Sequence, residues 1–399
     1  MRKVLLLALG AFTLGLDAYV MAGLLPVVAD DLDTTVSLAG QMVTVFTLAY
    51  ALSAPLVAGL STGVRPRTMI LIALAVFTLG NGLTALAPSL ALLLGSRAIA
   101  GAGAGVYSAL STAAASALAP PERRGRALAM VMGGMSAGTV LGVPLGVLLA
   151  EHAGWRATMG LVTALGAVAL GGLAVLLPQV PAEPAVPARK RLGLITDRAV
   201  APVVGVSFLA AVASLGLYTY LAPVLESAGG IEGVSPYLWA WGIGGVLGSV
   251  IVGPLVDRMG RVRTLVSVVL VAIGAAQLLL PSLASVPLLL GLVLVVWGAG
   301  GWALQVPQQH RLLALSAERG TVALALNNSA LYLGSAVGSA LGGLALSAGL
   351  SGSALPWAAA GVAGLGLVLH GVTARTGGAA RTCGRPGVVD GGASCTPQA

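Results

Sequence analysis

Two ionisable side chains lie where hydrocarbon should be. Asp17 is the single charged residue in an apolar run from Val4 to Val28, and Arg97 lies inside another such run. A carboxylate at the centre of a bilayer costs roughly 2.5–3.5 kcal/mol on insertion scales, so it turns toward a protein interior or a watery cavity. At about 1.5 Å of rise per residue, Asp17 is about 13 Å from the outer end of its run near Pro26, and Arg97 about 12 Å from Ser89 at the outer end of its own. The two share a depth, so an acid and a base can meet across a common aqueous pocket. Two chemistries fit. One is structural, a packing acid or a buried ion pair. The other is a proton or substrate site, because opposite charge favours the ionised carboxylate and burial opposes it, so moving the arginine would switch proton affinity.

The elements that must position this pair are membrane helices. Of 399 residues, 57% are hydrophobic and 9% charged, against about 25% charged in a soluble domain, and the mean hydropathy is +0.97. A span needs about 20 apolar residues. Twelve runs qualify: 4–28, 38–61, 67–87, 90–118, 126–150, 156–178, 200–222, 236–256, 264–283, 286–309, 321–347 and 353–374. Arg2 and Lys3 ahead of the first run imitate a signal peptide, but the run is of spanning length and eleven more follow. The expected fold is all-α integral membrane, with an N-terminal six-helix half (1–178), a linker (179–199) and a C-terminal six-helix half (200–374). The linker is stiff and basic, with Pro181, Pro184 and Pro187 ahead of Arg189, Lys190 and Arg191. Residues 375–399 read as a disordered tail, Gly-rich and polar; Cys383 and Cys395 lie there, too isolated for a metal site or a disulfide framework.

The net charge of +8 could suggest nucleic acid. With both termini cytoplasmic, however, every Lys and Arg except Arg97 and Arg156 falls on the cytoplasmic side, which is the positive-inside rule and not a nucleic-acid footprint. The expected place is the plasma membrane, with the lipid bilayer and a small molecule as partners and the chain acting as a monomer. The Ala, Gly and Arg bias fits a GC-rich bacterial genome.

The halves repeat. Residues 121–129 align with 317–325, and at the same offset Gly138, Gly142 and Gly146 fall on Gly334, Gly338 and Gly342. Two repeated halves with a site between them at mid-membrane is a transporter architecture. Glycines every fourth residue line one helix face and admit a close neighbour, either as plain packing or to seal the bundle against proton leak; Pro144 adds a kink. Uncharged polar and aromatic side chains on inward faces are the substrate candidates, because such groups need internal partners in hydrocarbon. Beside Asp17 and Arg97 these are Tyr50, Tyr107, Met132, Met135, Tyr218, Tyr220, Trp241, Gln305, Asn327, Asn328 and Tyr332. No Walker motif is present, so ATP is not the expected energy source. No cofactor or metal is expected, with the proton as coupling ion. Gly134-Met-Ser136-Ala-Gly138 matches a nucleophile elbow but lies inside a transmembrane helix and not on an α/β sheet. An intramembrane protease using Ser136 with His370 or His310 would need hydrogen-bond reach that the depths do not provide.

Gly253-Pro-Leu-Val-Asp257-Arg258-Met-Gly260-Arg261 resembles the loop motif of the major facilitator superfamily, with Asp257, Arg258, Gly260 and Arg261 in the matching places. Its first-half counterpart, 58–67, keeps Arg65 and Arg67 but has Thr62 where the motif has an acid. Arg97-Ala-Ile-Ala-Gly101 is similar to the fourth-span motif whose arginine is tied to proton coupling. Gly138, Gly142, Pro144 and Gly146 look like the fifth-span antiporter motif, with the proline one place late. Asp17 with Leu24-Leu25-Pro26 and Asp31-Leu32 resembles a first-span exporter motif. The resemblance covers 1–375 and is closest to twelve-span drug:proton antiporters of the chloramphenicol-resistance and sugar-efflux kind. It implies a gate at the loop motif, alternating access by rocking halves, and export of a small amphipathic drug, phenicol-like, against protons. A sugar or polar-metabolite exporter or facilitator of the same fold is the alternative.

Overall fold

A computed structural model describes residues 2–60, 64–120, 123–181, 193–231, 233–259, 261–314 and 317–382. Much of the linker, and the end of the chain with both cysteines, lie outside them. Among the described residues there is no strand, and twelve helices are long and apolar enough to cross a membrane. In order they are α1 (Arg2–Asp31), α2 (Val36–Leu60), α3 (Pro66–Ala85), α4 (Leu90–Leu118), α5 (Arg124–Ala153), α6 (Trp155–Leu176), α7 (Ala201–Thr219), α8 (Ser235–Met259), α9 (Val262–Leu283), α10 (Pro287–Leu313), α11 (Ala317–Ser347) and α12 (Leu355–Thr382). The last helix continues past the expected start of the tail at 375.

Backbone groups in hydrocarbon must bond internally, which is why the apolar runs become helices. Irregularities have local causes. In α5 a π-helical turn at Gly138–Gly142 precedes Pro144, whose ring removes one backbone donor; the wider turn absorbs that defect. The helix α10 breaks at Leu304, between Pro287–Ala303 and Gln305–Leu313, because Pro307 cannot donate to the carbonyl four residues back. The seventh run is shorter than expected: the helix stops at Thr219, and Leu221–Gly229 forms a separate short helix.

The glycine ladder packs within each half and not across them. A side chain at Gly138 would meet the backbone of Phe12, one at Gly142 would meet Leu16, and one at Gly146 would meet Val20, so α5 lies directly on α1. In the second half Gly334 and Gly338 meet Phe208 and Val212, each 196 residues beyond Phe12 and Leu16. Both halves therefore use one contact twice. Leu79, Leu86, Val175, Leu288, Leu344 and Leu365 stay exposed on the outer surface, as lipid-facing side chains do.

The halves meet along two seams. On one, α2 lies against α11, from Ser37, whose Oγ donates to Gly343 O at 2.6 Å, down to Tyr50, which stacks on Tyr332 with ring centroids 3.6 Å apart. On the other, α8 packs on the Gly138–Ala153 part of α5. At the Asp31 end of the N-terminal half, Arg156 donates to the Asp31 carboxylate and to Ala87 O. That clasp is about two-fifths exposed on each partner and contributes little. The halves are thus joined toward the end opposite the chain termini.

Because Gly138 touches backbone, Gly138→Val forces α1 and α5 apart and is expected to cost about 1–3 kcal/mol. Gly125→Val, where an added side chain meets open space, should change little. Thermal unfolding of the two variants in detergent separates them.

Candidate functional site

Asp17 and Arg97 meet. Arg97 Nη1 lies 2.7 Å from Asp17 Oδ1, and the two side chains are 1% and 0% exposed. A third residue completes the group. Asn81 of α3 donates from Nδ2 to Asp17 Oδ2 at 3.2 Å, and its Oδ1 accepts from Arg97 Nη1 at 3.1 Å. The guanidinium also sits over the Phe46 ring, 4.1 Å from its centroid, a cation–π contact. Close approach makes this possible: Gly80 and Gly103 let α3 and α4 touch backbone to backbone, and Gly101 does the same for α4 against α2. Thr84 and Ser96 hydrogen-bond between α3 and α4 at 2.8 Å, one turn toward the outer end.

The depth argument expects the pair to share an aqueous pocket, and it does not. It is enclosed by α1, α2, α3 and α4, both side chains are fully buried, and neither lines either of the two cavities between the halves. The reason is rotation about the helix axis. At about 100° per residue, a side chain two positions on points to the far side of α1. That side chain is Tyr19, and it faces the C-terminal half. Its ring lies 5.9 Å from Tyr218, 6.1 Å from Trp241 and 6.3 Å from Trp302.

Tyr218 packs behind Trp241, while Tyr19, Trp241 and Trp302 wall a cavity between the halves, completed by Ser214, Gln305 and aliphatic side chains of the C-terminal half. Its open space is about 60 Å³, room for a few waters, whereas drug-sized ligands occupy roughly 300–1,000 Å³. A ligand of that size fits only after the halves separate. No charged side chain lines it. The Trp241 indole N–H is buried with no partner among the described residues, as is Asn327 Oδ1, while Asn327 Nδ2 reaches Gln305 Oε1 at 3.5 Å. A second, apolar recess of about 160 Å³ lies between α5 and α8, lined by Ser136, Val140, Val246 and Val250, and shares only Trp302 with the first.

The remaining candidates separate. Tyr50 and Tyr332 stack across the α2–α11 seam. Tyr107 is a packing residue, not a cavity one: its hydroxyl donates to Leu7 O inside the N-terminal half, against Gly10. Tyr220 likewise donates to Ser339 O and fills the seam beside Gly40. Met132 is 54% exposed and Asn328 is exposed too, and neither lines the aromatic cavity. Met135 packs partly buried, its backbone against Gly15. Arg67 Nη2 donates to Ala174 O at 2.6 Å, tying α3 to α6. Arg65, Arg258 and Arg261 are exposed; Gly260 and the Asp257 side chain lie outside the described residues. His370 accepts from Arg311 and donates to Arg263 O, so both ring nitrogens are engaged within the C-terminal half and neither bonds Ser136. No group of three or more metal-ligating side chains exists among the described residues.

Sequence reasoning missed Asn81, Tyr19 and Phe46. Asn81 left a signal, being a lone carboxamide at mid-span in a run that is otherwise apolar but for threonines.

Twelve helices in two repeated halves, with a cavity between them, are the architecture of a membrane transporter. The Major Facilitator Superfamily model matches residues 7–339, and the chain belongs to that family, one of transporters and not of enzymes. Among curated relatives, the inner membrane transport protein YdhP of Escherichia coli is 32% identical, covering 93% of this chain and 96% of that one. An uncharacterized MFS-type transporter of Bacillus subtilis, YbcL, is 32% identical over 86% of this chain and 88% of its own length. A chloramphenicol resistance protein of Streptomyces lividans is 30% identical over 84% and 86%. Solved structures share the fold: the nucleoside transporter NupG at TM-score 0.73 and 12% identity, covering 94% of this chain and 100% of that one. A bacterial homologue of the human lysosomal transporter Spinster, inward-facing and unoccupied, follows at 0.71 and 16%, covering 94% and 97%.

Asp17→Asn keeps the shape but strands a buried guanidinium, and is expected to cost about 3–5 kcal/mol. Adding Arg97→Met should recover most of that loss. Thermal unfolding of the single and double variants in detergent reads the difference.

Proposed function

We propose that the protein is a proton-coupled exporter of a small, uncharged, amphipathic compound, phenicol-like in chemistry, in a bacterial plasma membrane with both termini cytoplasmic. The observation that carries it is the separation of charge from cargo. A fully buried acid–amide–base group occupies one side of α1, and a charge-free aromatic cavity occupies the other. A binding site without a charged wall suits a neutral ligand, since an unpaired charge buried there is costly. The chloramphenicol resistance protein of Streptomyces lividans supports that chemistry.

The mechanism follows from the two faces of α1. With Asp17 ionised, Arg97 and Asn81 hold α1 against α3 and α4, and Tyr19 stands in the cavity. A proton arriving on Asp17 cancels the attraction to Arg97 and leaves the group positively charged, so α1 is released from that packing. Tyr19 moves with the helix and reshapes the ligand wall. In the proposed orientation the joined end of the halves is the external one, so the state described faces inward with the acid ionised. Protonation from outside, in the outward-facing state, then discharges ligand. The amides of Gln305 and Asn327 favour a second reading, a sugar or polar-metabolite exporter, because hydroxyl-rich ligands pair with them.

Reconstituted in vesicles with an imposed pH gradient, the protein should drive chloramphenicol uphill, and Asp17→Asn should lower that flux by about a hundredfold or more. Uphill export by Asp17→Asn at the normal rate sinks the proton role. Tyr19→Ala or Trp302→Ala should weaken chloramphenicol binding by about tenfold, as loss of an aromatic anchor does. Transport of sugars with no response to phenicols selects the second reading.

A further inference from the structure

Asn81 uses its whole side chain. Besides the bonds to Asp17 and Arg97, Nδ2 donates to Phe77 O at 3.1 Å, so both N–H groups and the carbonyl oxygen are engaged. The amide cannot flip, since its oxygen would then face a carboxylate and a carbonyl. A counterpart stands in the other half. Gln277 lies 196 residues after Asn81 and donates from Nε2 to Ala213 O at 2.9 Å, and Ala213 lies 196 after Asp17. There the acceptor is a backbone carbonyl, Val293 replaces Arg97, and Gln277 Oε1 is buried without a partner among the described residues. An amide linking the third helix of each half to its first is thus common architecture, and the first half alone has added an acid and a base to it.

We propose that Asn81 is a positioning residue of the proton switch, holding Asp17 as an acceptor against Arg97 and keeping Arg97 in place when the acid takes up its proton. The inference rests on the proton-coupled reading. Its balance is simple: a proton from water adds to a carboxylate oxygen, the ion pair is lost, Arg97 stays charged, and Asn81 Oδ1 remains its hydrogen-bond partner. Because Asn81 Oδ1 and Asp17 Oδ1 both touch Arg97 Nη1, a carboxylate at either position should serve.

Two readouts test this in lipid-reconstituted protein. The infrared carbonyl band of the protonated carboxyl is followed against pH with no compound present, and proton release is followed on adding chloramphenicol. Asp17→Asn should remove the band. The double variant Asp17→Asn/Asn81→Asp should restore it, with at least about a tenth of the wild-type proton release. Asn81→Ala should make the acid protonate at higher pH by about one unit, since a donor to the charged form is gone. Gln277→Leu should leave the midpoint where it is. The inference is overturned if Asn81→Ala titrates like the wild type, if Gln277→Leu shifts the midpoint equally, or if the folded double variant shows neither band nor release. Should Asn81→Ala not fold, the double variant decides, since it keeps one amide and one carboxylate beside Arg97 and gives up only the side-chain bond to Phe77 O. A wild type whose band titrates but which releases no proton with chloramphenicol or other drugs defeats the transport reading, and the infrared midpoints still judge Asn81.

Discussion

Everything in the N-terminal half answers to one constraint: a guanidinium at mid-membrane must have its counter-charge within hydrogen-bond distance. The desolvation cost of each ion is several kcal/mol, and the pair is tolerable only with good geometry and its other donors and acceptors occupied. Asp17, Asn81 and Arg97 come from three helices, so α1, α3 and α4 must pack at a fixed rotation and a fixed register. Glycines at the crossings make that packing close enough. The arginine's Nε has no hydrogen-bond partner among the described residues; the Phe46 ring beneath the guanidinium is the compensation at hand.

The same constraint explains the asymmetry between the halves. Both use glycines on the fifth and eleventh helices to seat the first and seventh, and both carry a carboxamide from the third helix of the half to the first. The glycine contacts and the Gln277–Ala213 bond are insensitive to proton concentration. Trp297 of α10 donates to Ser214 Oγ of α7 at 2.7 Å, a neutral tether between helices equivalent to α4 and α1. At this level neutral bonds tie the first, third and fourth helices of the second half, whereas an ion pair ties those of the first.

How much of this the sequence disclosed depends on which coordinate is asked for. Depth was legible, because helical rise is uniform and the runs begin at visible boundaries; Asp17 and Arg97 are level and in contact. The repeat was legible too, since glycine spacing survives in both halves. Rotation was not. In a soluble helix the apolar stripe gives the phase, but in lipid the outer face is as apolar as the core. Hence nothing distinguished Tyr107 and Tyr220, which bond to backbone inside or along the seam, from Tyr19, which enters the cavity. A pocket common to acid, base and ligand was the natural expectation for residues at one depth, and only the phase of α1 divides them.

That division bears on coupling. If the acid stood in the cavity, ligand and proton could compete for it directly, and a cation would be the natural cargo. On the proton-coupled reading, with the acid behind α1, a ligand in the aromatic cavity cannot touch it. Communication must then pass through the position of α1 itself, whose two faces carry Asp17 and Tyr19 within one turn of one rigid rod. A helix rotates as a unit because its backbone bonds are all internal, so on the proton-coupled reading a small rotation that frees one face necessarily displaces the other. Selectivity for the ligand and sensitivity to the proton can then be altered separately by substitutions on opposite sides of one helix.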